Sequence, residues 1–392
     1  MKKCGPRLAG TEGTKIARDL VKNLYEESCD SVRVEEFDVR PNSFLGLIKY
    51  SAIVFIISSI MTYFNLIILA AIGFFIAFFM ILSQTFLYWE IFDRLFTERQ
   101  GFNVIGTIEP EHEVKQQIIV SGHHDAPYAF HLLEKTPKLY GILIISANLS
   151  ILSSVLLSGW WTLSLLFNGN DPSSSSIIRI FLIFAFIPIL PFLVFITNTV
   201  SPGAGDNMIS TVITAKTALI FGQRKKSQKE ALQNTRLIVA SFDAEEAGLR
   251  GARAYVQKNL NSLHTIPTYV FNMDSIYEAK NLKLFNRDLN STVRLSDIMI
   301  KNCQSVATNL GYDIKAIPMP FGGGATDAAE FGKEGIHATT LIGLSTSFIR
   351  HEIHYHTQYD TVDKIEPEAV KVALELLFNF ISQMDNDILM ID

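Results

Sequence analysis

Between Ser51 and Trp89 the chain runs through 39 consecutive positions without an Asp, Glu, Lys or Arg. One helix of that length would be roughly 58 Å long, about twice the ~30 Å hydrocarbon core of a bilayer. Two spans joined by a tight turn near Thr62 to Asn65 use such a run far better than one. A second uncharged region starts at Leu139 and continues to about Phe167. The polar loop NGNDPSSSS follows, and an apolar run from Ile180 to about Val200 closes a second hairpin. Pro188 and Pro191 are expected to kink that last helix, because proline removes a backbone donor and crowds the preceding turn. Buried core helices are the competing reading, but 39 uncharged residues exceed an ordinary core helix.

The excess of apolar residues is confined to these runs. Across all 392 residues 48% are hydrophobic and only 19% charged, below the usual quarter. The pattern is a polar domain joined to membrane segments. The boundaries read as a first hairpin at 46–89 and a second at 139–200, interrupting one domain formed by 1–45, 90–138 and 201–392. A net charge of −5 gives no reason to expect a nucleic-acid partner. Cys4, Cys29 and Cys303 are odd in number and lack CxxC spacing, which argues against a disulfide framework and a thiolate zinc site. MKKCGPRLAGTEG does not read as a signal peptide, since Gly, Pro and Glu stand where an apolar core belongs.

The remainder alternates between strand-like and helical patterns. Short β-rich runs are SVRVEEF, NVIGTI, QQIIVSG, RLIVASF, TYVFNM and ATTLIG, several of them continuously apolar, as strands buried on both faces are. Helical spacing marks 12–27, 207–222, 246–260, 293–310 and 366–384. This predicts an α/β fold, a mostly parallel sheet covered by helices.

Chemistry-bearing residues gather where these strands end, the usual place for a site in an open α/β sheet. QQIIVSG runs into His123, His124 and Asp125. RLIVASF runs into Asp243 to Glu246, and TYVFNM into Asp274. SPGAGDN supplies Asp206, and HYHTQYDT supplies His354, His356 and Asp360. Each alone reads as a cap, a turn former or a solvated surface. Together, carboxylates and imidazoles in this mixture suit zinc. On an extended segment i and i+2 share a face, so His123 and Asp125 can cooperate while His124 points away as a packed or hydrogen-bonded neighbour. His354 and His356 share a face by the same rule.

GPRLAGTEG, the His-x-Asp of SGHHDA, PGAGDN, FDAEEAGLRGARAYV, NMDS, GGGATDAAEFGKEGIHATTLIG and YHTQYDT occur in this order. In these motifs the sequence resembles the di-zinc exopeptidases that include bacterial leucyl aminopeptidase, aminopeptidase Y and glutamate carboxypeptidase II. The resemblance covers nearly all of the chain outside the hairpins. It implies a three-layer α/β/α zinc-exopeptidase domain, here interrupted by two transmembrane helical hairpins of four helices in all. It also implies two zinc ions per chain bridged by Asp206, one site completed by His123 and Asp274 and the other by Glu246 and His356. Glu245 would be the general base, and Asp125 would accept the proton of a ligating imidazole and fix its tautomer. The implied activity is removal of N-terminal residues from peptides.

Three departures from the family pattern stand out. The connection from His-x-Asp to the bridging Asp holds 80 residues and a hairpin. Met208 and Ile209 follow Asp206-Asn207 where small residues are usual. The first hairpin also splits the opening strands. Two other readings remain: a single-zinc enzyme resembling glutaminyl cyclases, and a peptidase-like binding module without catalysis. Arg40, Lys49, Arg94, Arg99, Lys135 and Lys138 flank the spans on the catalytic side, against Arg179 near Asp171 on the other, which predicts a cytoplasmic catalytic domain. The expected partners are a peptide substrate and the lipid bilayer.

Overall fold

A computed structural model describes residues 3–168, 175–227, 231–344 and 354–389. Asp171 and most of the NGNDPSSSS loop, which enter the charge argument above, lie outside the described residues.

The strands are β1 (Ser31–Val39), β2 (Arg99–Ile108), β3 (Gln116–His123), β4 (Tyr128–Phe130), β5 (Ile196–Val200), β6 (Thr235–Phe242), β7 (Thr268–Asp274), β8 (Lys283–Asp288), β9 (Val293–Arg294), β10 (Lys315–Pro318) and β11 (His337–Ile342). Among the described residues they form one large sheet in the order β1-β2-β6-β3-β7-β11-β8-β10, with β9 on β8, and a separate β4-β5 ribbon. The centre, β6-β3-β7-β11, is parallel. The pairs β1-β2, β2-β6, β8-β11 and β8-β9 are antiparallel.

The helices are α1 (Glu12–Glu26), α2 (Ser43–Tyr63), α3 (Ile67–Ile81), α4 (His131–Lys135), α5 (Pro137–Asn168), α6 (Ser175–Phe184), α7 (Ile209–Lys226), α8 (Arg250–Thr265), α9 (Asp297–Asn309), α10 (Ala328–Lys333) and α11 (Pro367–Leu389). Alternation along β3 explains the layering. Ile118 and Val120 face a core shared with α1, α7, α9 and α11. Ile119 faces a second core shared with α8 and α10. Every residue of β3 is buried, because helices cover both faces of a parallel centre.

Four helices, Ser43–Tyr63, Ile67–Phe86, Pro137–Phe167 and Ser176–Val194, are long and apolar enough to cross a membrane. At 1.5 Å per residue the first is roughly 32 Å long. The first turn lies where the sequence places it: α2 ends at Tyr63, Asn65 takes a left-handed φ of 62°, and α3 starts at Ile67.

The second hairpin departs from expectation at its end. Helix α6 stops at Phe184, a 3₁₀ segment carries Pro188 and Pro191 from Ile187 to Val194, and the chain becomes strand β5 from Ile196. The prolines end the α-helix rather than only kinking it. Strand β5 pairs with β4, Tyr128 opposite Val200 and Phe130 opposite Ile196. The amide of Ser201 also donates to Pro127 O at 2.8 Å. This ribbon closes the base of the long excursion and returns the chain beside the point it left.

Candidate metal centre

The parallel strands β3, β6 and β7 end in register along one edge, with His123 opposite Phe242. Their following residues therefore emerge side by side. His123 closes β3, the Asp243–Glu246 turn follows β6, and Asp274 closes β7. Asp206 arrives from the β5 return. It lies just before α7, which starts at Ile209 rather than at 207, because Asp206 and Asn207 have non-helical φ/ψ. The acidic turn precedes α8 rather than forming its first turn: Leu249 takes a φ of 64°, which delays the helix to Arg250.

Asp206 lies between the two imidazoles. Its Oδ1 is 3.3 Å from His123 Nε2, and its Oδ2 is 3.1 Å from His356 Nε2. Around His123 Nε2, Asp274 Oδ2 lies at 3.8 Å and Glu245 Oε2 at 3.7 Å. Around His356 Nε2, Glu246 Oε2 lies at 3.2 Å. Two triads result, His123–Asp206–Asp274 and Asp206–Glu246–His356, sharing Asp206, with Glu245 beside them in a third grouping with His123 and Glu246.

These separations suit zinc. Ligand atoms ~2.0–2.2 Å from a tetrahedral ion stand about 3.3–3.6 Å from one another. The donors are also left over by the protein: His123 Nε2, Asp206 Oδ2 and Glu246 Oε1 are buried without a hydrogen-bond partner. Unsatisfied polar atoms in the interior are costly, so three of them within these groupings mark a place for cations. The donor set, imidazole nitrogen and carboxylate oxygen, fits zinc as well.

The electrostatics agree. Burial, and then the like charges of Glu246, Asp274 and Asp327 against the relief from His123, hold Glu245 well above the usual carboxylate range. Burial likewise pushes Glu246 up to about 8 and Asp274 up to about 7. Burial would lower both imidazoles, but Glu245 and Asp125 outweigh it at His123, and Glu246 and Asp206 raise His356 to about 10. Asp206 moves the other way, below its ordinary value, because the two imidazoles overcome its burial. A cluster of acids this crowded is relieved by positive charge.

Asp125 faces His123 Nδ1 at 3.2 Å. Its other contacts are the amides of Glu245 and Glu246, each donating at 3.2 Å. One carboxylate thus orients an imidazole and fixes the acidic turn. His124 points away, its Nδ1 at 2.8 Å from Ser241 Oγ. Burial drops its pKa to about 3, so it stays neutral. His354 is half-buried, and its carbonyl accepts from the Thr357 amide and hydroxyl. Asp360 accepts from the amides of Gly205 and Asp206 and so orients the Asp206 loop.

The N-terminal GPRLAG motif joins the site through Arg7. Its guanidinium is fully buried and donates to the carbonyls of His124, Pro202 and Gly203. Gly203 has a φ of +63°, and a Cβ there would stand 2.6 Å from Arg7 Nη2 and 2.8 Å from Ala126 Cβ. Only glycine lets the loop pass so close. Ala244, Ser275 and His356 also hold left-handed φ, at 59°, 49° and 54°, the backbone strain that gathers at functional sites.

Asp327 belongs to the site although it closes no strand. It is 1% exposed, neither carboxylate oxygen has a partner, and burial holds its pKa well above the usual range. Its electrostatic neighbours are His123, Asp274 and Asp125. The signal available was its place in GGGATDAAEF, just before a helix.

Residues 193–381 match the model for Peptidase family M28. This segment carries Asp206, the acidic turn, Asp274, Asp327 and His356. His123 and Asp125 precede it, and the fold brings them beside Asp206, Glu245, Glu246 and Asp274. Over 179 residues the chain is 25% identical to aminopeptidase YwaD of Bacillus subtilis (strain 168), a match spanning 45% of this chain and 36% of that protein. The chain thus spans little more than a third of that relative's length.

Likeness of fold to solved structures reaches beyond the matched segment. The zinc aminopeptidase BSAP of Bacillus subtilis superposes with a TM-score of 0.56 at 14% identity, covering 97% of this chain and 92% of that one. A Zn-dependent exopeptidase of Parabacteroides distasonis gives 0.56 at 15%, covering 97% and 93%. The glutaminyl cyclase of Porphyromonas gingivalis gives 0.55 at 12%, covering 97% and 94%. At these identities the likeness concerns the fold.

Proposed function

We propose that the protein is a membrane-integral, zinc-dependent aminopeptidase acting on the N-terminal residues of peptides. The observation that carries this reading is Asp206, whose two oxygens each face a different imidazole. In this reading His123, Asp206 and Asp274 hold one zinc, and Asp206, Glu246 and His356 hold a second. Bound zinc would lower the pKa of a water and polarise the scissile carbonyl.

The protein groups have separable tasks. Glu245 sits beside both triads without completing either. It takes the proton of the attacking water and passes it to the leaving amine, general acid–base work typically contributing about 10²–10⁴-fold. Asp125 holds the His123 tautomer and pins the amides of Glu245 and Glu246. Asp360 and Arg7 hold the loop that presents Asp206. The crowded carboxylates also favour a cationic ligand, such as a free peptide amine.

The four apolar helices anchor the domain, and the basic residues flanking them, Arg40, Lys49, Arg94, Arg99, Lys135 and Lys138, favour a cytoplasmic site. A reporter inserted between 171 and 176 that is active only in the cytoplasm would reject that orientation.

Metal analysis of the purified protein, paired with a peptide-library digest read by mass spectrometry, tests the activity. About two zincs per chain with stepwise loss of N-terminal residues is the expected result. One zinc with pyroglutamate formation would replace this reading by a cyclase, and full zinc without turnover would leave a binding module. Glu245→Gln is expected to keep both zincs and lose turnover.

A further inference from the structure

The first apolar hairpin does more than project from the α/β body. Both its ends close on the acidic turn. At its entrance, Phe44 lies over the turn, and a Cβ on Gly248 would stand 2.9 Å from Phe44 Cδ2. At its exit, the Tyr88 ring packs tilted against Phe44 with centroids 4.7 Å apart and lies in one buried cluster with Leu249. The Tyr88 hydroxyl lies 3.5 Å from the Cβ position of Gly324. Burial, then the charges of Glu245, Asp288 and Glu246, keep that phenol protonated.

A buried ionic lock holds this exit. Arg250 is the residue after Leu249 and 5% exposed. Its Nη1 donates to Gly248 O at 3.0 Å, inside the turn, and to Tyr88 O at 3.2 Å, across to the hairpin. Its Nη2 faces Asp93 Oδ2 at 3.2 Å as an ion pair. Asp93 is also buried and is fixed by Gln84 Nε2 at 2.9 Å. One turn along α8, Arg253 donates to Tyr88 O, to Glu90 and to Glu330. Two arginines thus share one carbonyl of the hairpin exit. Within the turn, the amides of Gly248 and Leu249 both bond Glu245 O, at 2.8 and 2.7 Å.

We propose that the first hairpin positions the general base. Arg250, held by Asp93 and by the carbonyl of Tyr88, couples the seating of the hairpin to the Glu245–Glu246 turn, which makes Arg250, Asp93 and Tyr88 positioning residues. The inference rests on the reading of Glu245 given above. Surface ion pairs contribute little, but this pair is buried, and removing Asp93 leaves buried Arg250 with only the half-exposed Glu90, 3.5 Å from its Nη1, an undercompensated charge. Arg250 then has to move, and it carries Gly248 O with it. A shift of about 1 Å in a reacting group can cost about 10²-fold in rate.

The test uses the full-length protein in detergent or nanodiscs, with Asp93→Asn and Tyr88→Phe. Three quantities are read: zinc content, steady-state constants, and amide hydrogen exchange over residues 245–251. For Asp93→Asn the expected result is full zinc, KM within about twofold, kcat lowered about 10–100-fold, and faster exchange in the turn. Tyr88→Phe keeps the ring and the carbonyl, so it is expected to keep slow exchange. A folded, zinc-loaded Asp93→Asn with normal kcat and normal exchange overturns the proposal. If Asp93→Asn does not fold, Asp93→Asn with Arg250→Gln removes both charges and is read in the same way. A wild type without peptide hydrolysis would defeat the aminopeptidase reading, while hydrogen exchange would still decide the coupling.

Discussion

The α/β body and the helical body of this molecule are built inside out with respect to each other. In the α/β body the large apolar side chains are inside: Val120, Leu237, Val239 and Phe271 are fully buried between sheet and helices. In the helical body many of them are outside, among them Ile60, Phe75, Ile142, Leu149 and Leu156. Its buried positions are often small or hydroxylated, such as Ser51, Ser58, Ser59, Thr62, Ala70, Ala77 and Ser154. Under the proposed membrane reading the two bodies are arranged for different solvents. Water rewards the first arrangement. Hydrocarbon offers no gain for burying leucine, so helices there associate through close packing of small residues.

The buried polar groups differ in the same way. In the helices, Ser58 and Thr62 donate to carbonyls one turn back, and Ser51 donates across to Ala77 O at 2.9 Å. At the sheet edge, buried imidazole and carboxylate atoms converge and stay unpaired. The largest effect should follow from breaking that convergence. Asp206→Ala removes the carboxylate that both triads share, and metal analysis is expected to show less than two zincs per chain together with loss of peptide turnover. Glu245→Gln is the sharper partner, with zinc retained and turnover lowered about 10²–10⁴-fold. Full zinc in Asp206→Ala would mean that the triads are independent.

The inside-out arrangement is tested by changing one leucine in each body. Leu237→Ala opens a cavity between sheet and helices and is expected to cost about 2–5 kcal/mol in denaturant unfolding of the α/β body. Leu156→Ala, on the outer face of the helices, should lie within about 0.5 kcal/mol, as exposed changes usually do. Lysine reverses the ranking of the outer faces. Leu156→Lys near the middle of its helix should cost about 2.5–3.5 kcal/mol of bilayer insertion. Leu24→Lys on the half-exposed side of α1 should be nearly neutral. Equal tolerance of lysine at Leu24 and Leu156 would contradict a bilayer around the helices.

The same contrast explains which parts were legible in the sequence. The uncharged run from Ser51 gives two long apolar helices by composition alone, and its turn at Asn65 stands where the sequence places it. Continuous apolar runs such as QQIIVSG give the central strands, because burial on both faces leaves no alternation to confuse. Element ends were less legible. The start of α8 moves from 246 to Arg250, because Leu249 adopts a left-handed turn that apolar spacing does not reveal. By sequence strand β5 reads as the end of a span, since ITNTV is also uncharged and only its pairing with β4 distinguishes it. His123, Asp206, Glu245, Glu246, Asp274 and His356 were each visible at an element end, and the structure brings all six together. Asp327 and Tyr88 were not visible. Their importance lies in what folds against them, and neither closes a strand nor carries metal-ligand spacing.

Packing inside the helical body gives the smallest of these effects and the finest test of the comparison. Gly73 on α3 faces α2 so closely that a Cβ would stand 2.1 Å from Ser58 Oγ and 3.3 Å from Ser58 Cβ. Gly73→Ala must therefore push the helices apart or turn the serine out of its bond to Val54 O. Overpacking of this kind costs typically about 1–3 kcal/mol. Ser58→Ala alone should cost less than about 1 kcal/mol, since such hydroxyl bonds in membranes average about 0.6 kcal/mol. The two changes share one contact, so they should not add. The double variant removes the oxygen that the new methyl meets and is expected to recover most of the stability lost in Gly73→Ala. Thermal unfolding of the four variants in nanodiscs measures that coupling. Simple additivity would mean that α2 and α3 are held by their flanks rather than by the close approach at Gly73.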